Sequence, residues 1–103
     1  MPSQFECFLN ADVPVLVDFY DSRQFNISTL MSMLKSVKSI TGNAVVILVI
    51  NIDAHPHYSS KYELSTSNTF VIFRRGKIVW RKSGEIFRHE LLKFLAMNSI
   101  TDQ

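Results

Sequence analysis

Cys7 is the only cysteine in this chain of 103 residues, so no disulfide can close within it. Exchange between paired thiols is therefore beyond its own means. Cys7 lies between Glu6 and Phe8, with no adjacent base or cation to stabilise a thiolate, and reads as a small helix residue rather than a nucleophile. A second grouping, Asp53-Ala54-His55-Pro56-His57, sets two imidazoles one residue apart, a spacing that can reach one ion from an extended segment. A turn entering a short helix explains Asp53 and Pro56 equally well, and His89 is distant, so no metal is expected. The third candidate is Asp18, a lone carboxylate in the apolar run Val15-Leu16-Val17-Asp18-Phe19-Tyr20. Desolvation there should raise its pKa. It reads either as an acid kept for a ligand or as a core polar group bonded to a water or hydroxyl. Neither a phosphate-cradling glycine loop nor a serine, histidine and acid set with recognisable spacing occurs, so no cofactor is expected.

The elements that must position these residues follow from the apolar pattern. With 47% apolar residues the chain can supply the core of one domain spanning 1–103. No stretch approaches the roughly 20 apolar residues of a membrane span, and Met1-Pro2-Ser3-Gln4 lacks the pattern of a secretion signal. A cytoplasmic location is expected, and the single thiol suits a reducing compartment. The net charge of +2 is uneven: beyond residue 60 there are eight basic groups against four acidic ones. That half favours an acidic partner, but the small net charge argues against nucleic-acid binding.

Phe5, Phe8 and Leu9 recur at helical spacing in a short first helix that Asp12 and Pro14 end. Residues 14 to 20 form a strand apolar on both sides, as a central strand should be. A helix from about Gln24 to Thr41, capped by Asp21 or Ser22 and stopped by Gly42, turns Ile27, Leu30, Met31, Leu34 and Val37 toward a sheet. Ala44 to Ile52 is a second strand, parallel to the first because a helix connects them. A short helix carries Tyr58 to Tyr62. Thr69 to Phe73 and Ile78 to Arg81 make a hairpin around Arg74-Arg75-Gly76-Lys77. Its basic residues most simply keep the turn solvated, although Trp80 and Arg81 could extend a recognition patch. Phe87, Leu91, Phe94 and Leu95 form the face of a last helix.

Leu16-Val17-Asp18-Phe19, Asn51-Ile52-Asp53, Pro56, Lys61-Tyr62, Thr69, Phe73, Gly76, Gly84, Leu91, Phe94 and Leu95 stand in constant register with one known family. Over about four fifths of its length the chain resembles thioredoxin. The resemblance implies an α/β, thioredoxin-like fold: a central mixed four-stranded sheet flanked by helices. The family's first strand is expected to be absent, because only Met1 to Gln4 precede the first helix.

The resemblance also implies where the chemistry would stand. The family's cysteine pair falls on Gln24 and Ile27, its tryptophan on Arg23, and the glycine and proline between the thiols on Phe25 and Asn26. Asn68 takes the place of the cis proline; a cis bond there would cost about 3 kcal/mol or more, so trans is expected. Asp18 matches the family's buried carboxylate, and Val49 replaces the lysine beside it. Ser32 replaces a proline that kinks the main helix, so a straighter helix is expected.

With its thiols gone, such a chain is expected not to be an enzyme. It is expected to act as an adaptor or chaperone-like factor that binds a protein through Tyr20, Arg23, Gln24, Phe25, Asn26, Ile27 and Asn68. Bacterial hydrogenase-maturation chaperones also have this fold without the cysteine pair. A second expectation is a structural role as a homodimer or assembly component. The uncharged strand bearing Val45, Ile47 and Val49 would be an open edge, which invites another strand unless it is covered or twisted. A third is residual thiol oxidoreduction through Cys7.

Overall fold

Val15–Tyr20 (β1) is buried at every position but the last, because it has a strand on each side and helices over both faces. A computed structural model describes residues 4–21, 27–64 and 68–98 of the chain. Val46–Asn51 (β2) runs parallel to β1, pairing Val15 with Val46 through Tyr20 with Asn51. Thr69–Arg74 (β3) runs antiparallel on the other side, pairing Phe19 with Thr69 and Val15 with Phe73. Lys77–Ser83 (β4) completes the hairpin with β3. The order β2-β1-β3-β4 makes a mixed four-stranded sheet with β2 and β4 at its edges, as the resemblance implies.

The alternation of side chains along β1 divides the core in two. Val15, Val17 and Phe19, with Val71 and Phe73 of β3, pack under Phe5 and Leu9 of Gln4–Leu9 (α1) and Tyr58 of His57–Lys61 (α3). Leu16, with Phe70 and Ile72, packs under Leu34 and Val37 of Ile27–Thr41 (α2) and Leu91 and Leu95 of Arg88–Met97 (α4). The long helix runs unbroken through Ser32 and stops at Gly42, whose φ of +58° suits a residue without a Cβ.

Several expectations about helix faces are corrected. Phe8 is exposed, since α1 lays only Phe5 and Leu9 on the sheet. On α2 the buried arc is Leu30, Met33, Leu34 and Val37, which leaves Ile27 and Met31 on its border at 41% and 38% exposure. Phe87 precedes α4 in extended conformation (φ −100°, ψ 154°) and so points away from the face that Leu91 and Leu95 bury.

The basic hairpin is corrected more substantially. Its turn is only Arg75-Gly76, with φ of +55° and +82°, the pair of positive values that a two-residue hairpin needs. Arg74 is a strand residue only 8% exposed, and its guanidinium donates to the carbonyls of Asp12 and Asn98. It joins the end of β3 to the loop before β1 and to the end of α4. Arg81 donates to the carbonyls of Tyr62 (2.6 Å) and Glu63 (3.3 Å), and Trp80 stacks on Phe94 at 4.9 Å. These groups tie the hairpin to the elements beside it.

Candidate functional site

The C-terminal end of β1, the start of α2 and the start of β3 meet at one end of the sheet. The antiparallel register places Phe19 beside Thr69, so Asn68 stands just beyond the strand at the level of Tyr20. Gly84, at the end of β4, donates its backbone N–H to the Asn68 carbonyl at 2.8 Å, and Thr69 and Ser83 share a hydroxyl hydrogen bond of 3.1 Å. The φ of +91° at Gly84 favours glycine there. Thus the stretch entering β3 is pinned by the stretch leaving β4.

Asp18 lies beneath this end on the α2 side, the side shared with Leu16, between Val49 of β2 and Phe70 of β3. It is 0% exposed, and burial pushes its pKa from 3.8 up to about 7. Neither of its carboxylate oxygens has a hydrogen-bond partner among the described residues. The apolar Val49 beside it leaves the desolvation uncompensated, in line with the sequence reading. Asn68 adds a third such atom: its Oδ1 is buried and likewise without a partner there. Among the described residues these are the only buried side-chain polar atoms so placed, and both residues flank this end of the sheet.

Ile27 and Met31, one helical turn apart at the start of α2, add exposed apolar surface at the same end. The strand register therefore brings Asp18, Tyr20 and Asn68 to one end of the sheet, and Ile27 begins the helix that follows β1. Arg23, Gln24, Phe25 and Asn26, with Ser22, one of the two residues expected to cap the helix, lie outside the described residues, as does Ser67, which begins the peptide bond to Asn68. Met31 escaped the sequence reading as a surface residue because its spacing matches the buried stripe. The unpartnered amide oxygen of Asn68 leaves no trace in sequence.

Other features lie apart. Cys7 is exposed on α1, which covers the opposite face of the sheet from Asp18, so acid and thiol share no site. His55 and His57 pack against Tyr58, with ring centroids 5.8 and 4.1 Å away. A hollow of about 500 Å3 opens between α1, Tyr62, Phe73 and the hairpin residues Lys77 and Ile78, and contains none of the candidate site residues.

Comparison with known proteins supplies the remaining findings. The Thioredoxin family model matches residues 1–97. The chain is 27% identical over 84 residues to Thioredoxin Y2, chloroplastic, of Arabidopsis thaliana, covering 82% of this chain and 50% of that protein. It is 28% identical over 90 residues to Thioredoxin of Rickettsia bellii, covering 87% of this chain and 86% of that protein. With Thioredoxin of Rhodospirillum rubrum the identity is 29% over 90 residues, with coverages of 87% and 86%. The chain thus spans about half the length of the chloroplast relatives it matches and most of the bacterial ones.

Proposed function

We propose that this chain, which belongs to the thioredoxin family but carries a single cysteine, works by binding a protein partner and not by exchanging disulfides. The observation that carries this reading is the exposed apolar pair Ile27 and Met31 at the start of α2, beside a segment whose sequence holds no thiol. Disulfide exchange needs an activated thiolate and a resolving thiol in that segment. Gln24 and Ile27 provide neither. What remains at the surface is apolar, which suits the apolar side chains of a peptide segment, while Asp18 and the Asn68 amide oxygen stay buried beneath it. In this reading Arg23, Gln24, Phe25 and Asn26 supply the rest of the contact surface, and the protein serves as an adaptor or chaperone-like factor. Fold analogy to cysteine-free chaperones supports the class of activity, not the identity of the partner.

Two measurements test it together. In an insulin-reduction assay, wild type and Cys7→Ser should be indistinguishable from buffer; turnover that depends on Cys7 would overturn the reading. Affinity capture with the wild type should recover a partner whose binding falls by about tenfold or more in Phe25→Ala and Arg23→Glu, the loss expected of central contact residues. Equal recovery by all three proteins would place the interface elsewhere.

A further inference from the structure

β2 is uncharged from Val46 to Asn51 and lies at the edge of the sheet, with every residue half-exposed although its neighbour β1 is sealed. The phase of its backbone follows from two hydrogen bonds to the β1 strand and its lead-in: Val46 N–H to the Pro14 carbonyl at 3.0 Å, and Ile52 N–H to the Tyr20 carbonyl at 2.9 Å. In a parallel ladder alternate residues face the neighbour, so Val46, Leu48, Ile50 and Ile52 bond inward. Ile47, Val49 and Asn51 turn their N–H and C=O groups outward. The outward carbonyl before them, that of Val45, accepts from Lys38 Nζ at 2.8 Å, and the Val45 side chain is buried. At the far end Asn51 bends back, its side-chain oxygen accepting from the Asp53 N–H at 2.9 Å. Among the described residues a carbonyl at each end of the edge, that of Val45 and that of Asn51, is thus engaged, and the open portion centres on the backbone groups of Ile47 and Val49.

We infer that this edge pairs with the same edge of a second copy, antiparallel and with the two-fold axis at Leu48. That register sets Ile47 opposite Val49 of the partner copy and Val49 opposite its Ile47, each pair exchanging N–H to C=O bonds in both directions. It also continues both cores across the axis. Val46, Leu48 and Ile50 pack with the α1–α3 cluster, and Ile47 and Val49 with the α2–α4 cluster. In the inverted copy each row meets its own kind. No side chain of β2 itself is charged, and Lys38 stands only at its entry, on the Val45 carbonyl, so the charge by which many edges avoid pairing is absent from the open middle of the strand. A self-complementary, two-fold edge is the simplest closed arrangement of such a strand.

The test is sedimentation of the full chain, with cysteine cross-linking to fix the register. Wild type should sediment at about twice its 11.8 kDa mass, and Ile47→Lys, shown folded by circular dichroism, should sediment as a monomer. In a Cys7→Ser background, Leu48→Cys should form an interchain disulfide on mild oxidation. Residues on the axis of a non-hydrogen-bonded pair have Cα atoms about 4.5 Å apart, within disulfide reach. Val46→Cys, four residues from its own symmetry mate, should not cross-link. A wild type that stays monomeric at high concentration overturns the inference, as does a dimer that survives Ile47→Lys. Equal cross-linking at Val46→Cys and Leu48→Cys overturns the register and with it the proposed pairing. Slow hydrogen exchange at the Ile47 and Val49 amides of a monomer would show that the chain covers its own edge, which also overturns it.

Discussion

In the unfolded chain the Asp18 carboxyl ionises near its ordinary pKa of 3.8, whereas in the folded protein burial holds its proton until about pH 7. Between those values the folded state binds the extra proton, so stability falls as pH rises. Below the lower value both states are protonated and no penalty exists. Above the upper one the full penalty applies, about three pH units at ~1.4 kcal/mol each, or on the order of 4 kcal/mol. Asp18→Asn removes the charge at nearly constant volume. It should raise unfolding stability by a few kcal/mol at pH 8 and change it little at pH 4, as measured by urea denaturation. A wild type whose stability is flat over that range, or an Asn variant weaker at pH 8, would show that the carboxylate is solvated or paired. This residue was legible in sequence because a lone acid interrupts an apolar run. Asn68 was not, since its unpartnered oxygen depends on what packs around it from elsewhere in the chain.

At the scale of elements, two of the connections that hold the hairpin to the helices are arginines, Arg74 and Arg81, that the sequence presented as surface charge. Arg74 ends β3 yet donates to carbonyls at Asp12 and Asn98. Arg74→Met would leave these partly buried acceptors without that donor and should cost about 2–3 kcal/mol. Lys77→Ala, on the exposed side of the same turn, should shift stability by no more than about 0.5 kcal/mol. Equal effects in thermal denaturation would return Arg74 to the solvated role expected from sequence. Another connection is Gly76, whose N–H donates to the Leu9 carbonyl at 2.8 Å. A Cβ there would meet Asn10 Oδ1 at 2.9 Å and take a φ of +82°, so Gly76→Ala should also loosen the hairpin from α1. Periodicity and turn chemistry revealed that these strands and helices exist. They could not reveal which side chains reach across to a carbonyl on another element, because such contacts depend on how the elements dock. The same limit explains Phe8, Met31 and Phe87: spacing identifies a stripe, but the width of the covering sheet decides where burial stops.

For the molecule as a whole, β1 and β3 form one wall shared by both cores, so the two clusters are expected to unfold together. Phe19 is fully buried in a ring of Phe5, Tyr58 and Tyr62, at centroid distances of 6.2, 5.9 and 5.4 Å. Phe19→Ala should cost about 3–5 kcal/mol, a large share of the 5–15 kcal/mol typical of a small domain. If the wall couples the faces, this change should also speed hydrogen exchange at amides in α2 and α4, which do not pack against Phe19's cluster. In wild type the slowest exchange should lie in the buried β1 and β3, with faster exchange at the exposed residues of β4. Acceleration confined to α1 and α3 would instead make the faces separate cooperative units. The outcome bears on function, because the candidate site draws Asp18 from one face of β1 and rests on loops anchored by both strands. A coupled wall would keep Asp18 and Asn68 fixed relative to one another while a partner binds. Separate units would let one side of the site yield without the other.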